Sequence, residues 1–160
     1  MRTVVYPGTF NPITNGHTDI VKRALRIFDR VVLAIGTSPQ KNPAVHLKER
    51  IELCQEVVAD LPNVEVDGFN QLLVDYMQDR GYQFILRGLR NTTDFEYEFP
   101  QVYMNKEMMP DIEYVFLAPS KDTTFVSSTL VREIAMFGGN VDRFVHPAVA
   151  ANLRAQYAGE

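Results

Sequence analysis

Three stretches of this chain gather residue types that bind and move phosphate. The first is Tyr6-Pro7-Gly8-Thr9-Phe10-Asn11-Pro12-Ile13-Thr14-Asn15-Gly16-His17. Pro7 and Gly8 turn the chain, Thr9 offers a hydroxyl and an N–H, Pro12 stiffens the loop, and Thr14 or Asn15 can cap a following helix. His17 then falls in that helix's first turn, where free N–H groups and the positive dipole end favour anions. Gly16 lets a phosphate approach the backbone closely. The bland alternative is a turn with a surface histidine. The second stretch is Arg87-Gly88-Leu89-Arg90. Two arginines three residues apart read as forks for phosphate oxygens, the favoured reading over a carboxylate partner from Asp94, Glu96 or Glu98. The third is the run from Ser120 through Thr123, Thr124, Phe125, Val126, Ser127, Ser128 and Thr129 to Arg132. Its hydroxyls exceed what a helix cap requires and suit polyphosphate oxygens. Lys41, closing the polar stretch Gly36–Lys41, is a weak signal alone.

These stretches need elements to position them, and the pattern supplies candidates. Thr3 to Tyr6 reads as a strand, and Ile20, Val21, Ala24, Leu25 and Phe28 recur at helical spacing after it. Val31 to Gly36 is apolar almost throughout, as a strand covered on both faces is. Leu47, Ile51, Cys54 and Val58 stripe a second helix. Val64 to Val66 is a third strand, followed by a short helix through Leu73 and Met77. Phe84 to Leu86 and Tyr114 to Ala118 are strands four and five, with a helix from about Asp94 to Met108 between them. A further helix carries Leu130, Val131, Ile134 and Phe137 and stops at Gly138-Gly139. Pro147 suits the first position of a last helix. Such alternation predicts one domain over residues 1–160, a Rossmann-like three-layer α/β/α fold on a five-stranded parallel sheet. Ligands of such sheets bind beyond the carboxyl ends of the strands, which is where all three stretches fall.

Composition narrows the function. The 160 residues are 46% apolar and 22% charged, an ordinary globular balance, and the longest apolar runs are too short to span a bilayer. The net charge of −4 argues against nucleic acid as a partner. A single cysteine and the lack of a secretory pattern at the start point to the cytoplasm. Cys54 lies on an apolar stripe and reads as core. His46 and His146 have no partners at metal-ligand spacing, so no protein metal site is expected. Tyr97, Phe99 and Tyr103 read as packing. Neither a Walker loop nor a G-x-G-x-x-G fingerprint is present.

The segments 6–17, Arg-Gly-Leu-Arg at 87–90, Asp-Phe-Glu-Tyr-Glu at 94–98 and Val-Ser-Ser-Thr at 126–129 closely resemble the bacterial phosphopantetheine adenylyltransferases. These belong to the nucleotidyltransferase superfamily with the T/H-x-G-H motif. The resemblance covers nearly the whole chain, and the joint occurrence of Thr-Asn-Gly-His and Arg-Gly-Leu-Arg makes it specific. It implies transfer of AMP from ATP to 4′-phosphopantetheine, giving dephospho-coenzyme A and pyrophosphate. It implies ATP contacts from Thr9, Phe10, His17, Gly88, Leu89, Arg90, Glu98 and the segment Thr123, Thr124, Phe125, Val126, Ser127, Ser128 and Thr129. It implies phosphopantetheine contacts from Thr9, Lys41, Leu73 and Arg87, and catalysis by His17, Lys41 and Arg90. A homohexamer, Mg²⁺ arriving with ATP, and feedback by coenzyme A are implied too. Two positions depart from the family pattern. Asn11 replaces an Asp common after Gly-Thr-Phe, and Thr123-Thr124 stands where an aromatic followed by Ser is more frequent. Other readings remain: transfer to nicotinamide mononucleotide or a polyol phosphate, or a nucleotide-binding regulatory module without turnover.

Overall fold

β-Branched segments alternating with helical ones resolve into five strands and six helices. The computed structural model describes residues 1–37 and 47–158. In chain order they form β1 (Thr3–Gly8), α1 (Asn15–Ala24), β2 (Arg30–Gly36), α2 (Leu47–Val57), β3 (Val64–Phe69), α3 (Leu73–Arg80), β4 (Phe84–Gly88), α4 (Thr92–Met108), β5 (Glu113–Leu117), α5 (Ser128–Met136) and α6 (Pro147–Tyr157). Each expected element is present, several of them longer than periodicity alone suggests. Helix α1 starts at Asn15 because Thr14, in extended backbone, serves as its N-cap. Helix α4 starts at Thr92 because the Asn91 side chain accepts the Asp94 N–H at 2.9 Å. Gly138, at φ 75°, takes the left-handed conformation that ends α5.

The strands form one all-parallel sheet in the order β3-β2-β1-β4-β5. Val31 to Ile35 in β2 are essentially fully buried, as a strand covered on both faces must be. One face is packed by Ile20 and Val21 of α1, Cys54 of α2, Val131 of α5 and Val149 and Leu153 of α6. The other is packed by Tyr76 and Met77 of α3 with Ile112. Helix α4 joins that second face through Phe99, stacked 5.5 Å from Phe116, and through Asn105, which donates to the Tyr114 hydroxyl at 2.6 Å. Cys54 is core as expected, and burial pushes its thiol up to about 12.

Two expectations about apolar residues change. On α5 the inward stripe is Val131 and Ala135, while Leu130 and Phe137 face outward. On α4 Phe99 packs as expected, but Tyr97 and Tyr103 are exposed.

Strand order reverses between β1 and β4. β1 pairs with β2 as far as Gly8↔Ile35, but with β4 only at Val4↔Phe84 and Val5↔Ile85. Beyond Val5 lies Pro7, which has no N–H for a ladder. Its carbonyl instead accepts from the Arg87 guanidinium at 2.6 Å. The strands thus part at the switch point, where parallel sheets hold their ligands.

Candidate active site

The parting of β1 and β4 opens a cleft of about 370 Å³. Its walls are Tyr6–Phe10, the first turn of α1, the end of β4 with Arg87, Gly88 and Arg90, and the start of α5. Tyr97 and Glu98 of α4 close one side. Gly8 packs closely here: a Cβ on it would meet the Phe10 ring at 3.0 Å and push it aside by a few tenths of an ångström. Phe10 itself sits at φ 47°, a left-handed conformation costing about 1–2 kcal/mol for a side-chain-bearing residue. That turn folds the Phe10 ring beneath the cleft, 4.9 Å from the His17 ring and 5.3 Å from Tyr6. The space around Gly16 is occupied but would admit a Cβ at ordinary contact distances. A Cβ there would lie 3.6 and 3.7 Å from the Thr123 and Val126 carbonyls.

His17 is the third residue of α1 and reaches back to the helix cap. Its Nδ1 accepts the Thr14 N–H at 3.0 Å, with the Thr14 hydroxyl 3.2 Å away. A backbone N–H can only donate, so Nδ1 carries no proton and the neutral ring holds its proton on Nε2. Burial, with Arg87 and then Arg90 nearby, lowers the His17 pKa to about 4. Near neutrality His17 is therefore an uncharged donor. It is no base, because the one unprotonated nitrogen is occupied.

Both arginines of the Arg-Gly-Leu-Arg turn are held by carboxylates. Arg87 Nε and Nη2 grip Glu98 at 2.7–3.0 Å while Nη1 holds the Pro7 carbonyl. Burial disfavours the Arg87 cation, yet the Glu98 pair more than offsets this and raises its pKa. Arg90 meets Asp94 through its backbone N–H at 2.9 Å and its Nε at 3.1 Å, and reaches the Val126 carbonyl through Nη1. Asp94 and Glu98 lie four residues apart on one face of α4 and so serve both arginines. Sequence favoured phosphate over carboxylate at these positions; the free protein uses the carboxylates. Glu98, expected as a nucleotide contact, spends both oxygens on Arg87.

The hydroxyl run is likewise engaged. Ser127 caps α5 by accepting the Leu130 N–H at 3.1 Å, Ser128 donates to the Pro12 carbonyl at 2.8 Å, and Thr129 accepts from Arg132 at 3.4 Å. Arg132 also donates to the carbonyl of Asn11. That contact involves only the backbone of residue 11, so it is indifferent to Asn or Asp there. Among the described residues Arg132 is the one arginine lining the cleft with no carboxylate partner. The remaining Arg132 N–H groups, beside the first turn of α5, give this end of the cleft its positive character.

The structure brings together Thr9, Phe10, His17, Arg87, Gly88, Arg90, Glu98, Thr123, Val126, Ser127, Ser128 and Thr129. Leu89 sits behind, its N–H given to Leu117. Phe125 points outward, 61% exposed and 6.4 Å edge-on to Phe144, and neither it nor Thr124 lines the cleft. Leu73, at the start of α3, packs against the second core beside β3, two strands from the switch point. Lys41 and His46 lie outside the described residues. His146 caps α6, its Nδ1 accepting the Ala148 N–H at 3.0 Å. Sequence reasoning gave no ligand role to Tyr6, Asp94, Tyr97 or Arg132, although it quoted Tyr6 and Arg132 in its stretches and Asp94 as a possible arginine partner; all four line the cleft. The signal for Arg132 was its place three residues after Thr129, on the same helical face.

Comparison with known proteins agrees with this geometry. The cytidylyltransferase-like family model matches residues 5–134. A phosphopantetheine adenylyltransferase of Hahella chejuensis is 52% identical over 158 residues, covering 99% of this chain and 98% of that protein. Among solved structures, a putative nicotinate-nucleotide adenylyltransferase from Vibrio parahaemolyticus superposes with a TM-score of 0.72. It covers 98% of this chain and 93% of that one at 19% identity, a likeness of fold.

Proposed function

This chain belongs to the cytidylyltransferase-like family and, within it, to the phosphopantetheine adenylyltransferases, and from that premise we propose that it moves the adenylyl group of ATP onto 4′-phosphopantetheine. The products are dephospho-coenzyme A and pyrophosphate. The observation that carries the reading is the convergence of His17, Arg90 and the 126–129 segment on one switch-point cleft with donors and cations, where the carboxylates among the described residues are paired with arginines.

That inventory suits this reaction. A phosphate monoester has a second pKa near 6, so the acceptor is mostly a dianion near neutrality and needs no deprotonation. One of its oxygens attacks the α-phosphorus in line. A P–O bond forms to the adenylyl group, the α–β bridging bond breaks, and its electron pair leaves with pyrophosphate. No proton moves. His17 Nε2–H donates to the transferring phosphoryl oxygen, where charge builds up. Arg132, the α5 N-terminus and Arg90 receive the departing pyrophosphate. Arg87, braced by Glu98, faces the acceptor, and Lys41 is assigned to the acceptor by the family resemblance alone. Positioning and charge stabilisation supply the catalysis.

The cleft's carboxylates, Asp94 and Glu98, are committed to arginines, and no metal-binding cluster occurs among the described residues. Mg²⁺ is accordingly assigned to the nucleotide, as the ion it brings bound to its phosphates. The chain is proposed to act as one domain in the cytoplasm, and no described helix is long and apolar enough to cross a membrane. A homohexamer is proposed from the family resemblance, with support from the apolar side chains Tyr97, Tyr103, Met104 and Met108 that α4 leaves exposed. Feedback by coenzyme A rests on the same resemblance.

The test is pyrophosphate release with purified protein and Mg-ATP, comparing phosphopantetheine with nicotinamide mononucleotide. Release with phosphopantetheine alone supports the assignment. Release only with the mononucleotide, or ATP binding without release, overturns it.

A further inference from the structure

Tyr6 lies at the end of β1 in the floor of the cleft, 93% buried. Its ring is fixed from two sides, by Phe10 at 5.3 Å and the His17 ring at 6.2 Å. Yet its hydroxyl has no hydrogen-bond partner among the described residues. The oxygen itself is not sealed from solvent, and Tyr6 lines the cleft, so the hydroxyl is open to a ligand with no protein partner to displace. Packing needs only the ring, and phenylalanine would supply that. The surroundings say what the group can meet. Arg87, Arg90 and Glu98 line the same cleft and act on it electrostatically, and the His17 ring is its neighbour. Burial drives its pKa up to about 12, so the phenol keeps its proton and remains a donor.

We propose that Tyr6 is a substrate-binding residue whose hydroxyl donates to a phosphoryl oxygen at the junction of the two substrates. Together with His17 Nε2–H it gives the cleft floor two uncharged donors. Two neutral donors fit a floor whose arginines are already paired with carboxylates, because they bind phosphate oxygen without adding charge that the empty cleft must bear. The inference rests on the cleft holding phosphate-bearing substrates. The oxygen can come from ATP or from the acceptor, and the experiment separates these sources.

The variant is Tyr6→Phe, which deletes one oxygen and keeps the ring. ATP and phosphopantetheine are titrated separately by calorimetry, with steady-state turnover and thermal melts in parallel. A hydrogen bond to a charged oxygen predicts that at least one of the two dissociation constants, or kcat, worsens about tenfold. Loss in the ATP titration alone assigns the nucleotide, and loss in the acceptor titration alone assigns the acceptor. The melting temperature of the free protein should hold or rise, because no internal hydrogen bond is lost. Unchanged dissociation constants and kcat would overturn the proposal, as would a clear fall in melting temperature with binding intact, which marks a structural hydroxyl. Should wild-type protein bind ATP but fail to turn over phosphopantetheine, the acceptor assignment fails, while the ATP titration still decides the role of Tyr6.

Discussion

If His17 acts as a neutral donor, lowering the pH titrates the substrate before the enzyme, and the pH profile exposes this. With both substrates well below KM and Mg²⁺ in excess, the rate reports groups on the free enzyme and free substrates. The acceptor phosphate, with its second pKa near 6, drops from mostly dianion at pH 7 to about one-tenth dianion at pH 5. The rate should therefore fall about tenfold. The His17 pKa is about 4, so about nine-tenths of the rings remain neutral at pH 5 and add little to the loss. An ordinary histidine near 6.5 would be roughly 97% charged at pH 5 and would add a further loss of about 25-fold. The profile of log(kcat/KM) should accordingly show one break near pH 6 and a slope of one below it. His17→Ala should lower kcat by about a hundredfold or more and leave the break in place. A slope of two between pH 6.5 and 5, relaxing to one in His17→Ala, would refute the neutral-donor assignment.

Arg132→Ala should weaken ATP binding about tenfold while leaving AMP binding unchanged, since only the terminal phosphates would reach the α5 end of the cleft; calorimetry with both nucleotides checks this. Glu98→Ala leaves the Arg87 guanidinium unpaired and should cost about 3 kcal/mol in urea unfolding, with Glu98→Gln costing less. The fold also carries a pH dependence of known sign. A His17 pKa of about 4 lies below the unfolded value, so its contribution is complete above about pH 6.5 and is lost as pH falls toward 4. Stability curves of wild type and His17→Gln should therefore diverge less at pH 4.5 than at pH 7. Cys54, buried with its thiol pushed up to about 12, should react with a thiol reagent only as the chain unfolds.

Much of this architecture is legible in the residue pattern, because β1, β2, β4 and β5 each carry an apolar run and each motif sits at a strand end. Position was therefore readable: the Thr9–His17 turn, Arg87–Arg90 and the Ser127–Thr129 cap had to share one rim. Pairing was not. Asp94, Glu96 and Glu98 were all open as carboxylate partners and ranked below phosphate, and Arg87 takes Glu98 only because α4 turns its 94 and 98 face toward β4. The same limit applies to α5, where positions 130, 134 and 137 and positions 131 and 135 both form stripes at helical spacing. Only packing against α6 and the first core decides that Val131 and Ala135 turn inward. Tyr6 was hidden by its company. In Thr-Val-Val-Tyr it reads as one more strand residue, and nothing in the pattern says that its hydroxyl reaches the cleft.

The central claim is that the adenylyl group, not a terminal phosphate, is what moves. ATP labelled at the α-phosphorus and ATP labelled at the γ-phosphorus, each given with phosphopantetheine, test it directly. The account predicts α-label in a product heavier than the acceptor by one adenylyl group, with all γ-label in pyrophosphate. γ-Label in the acceptor product, or α-label remaining entirely in nucleotide while ATP is bound, would contradict it.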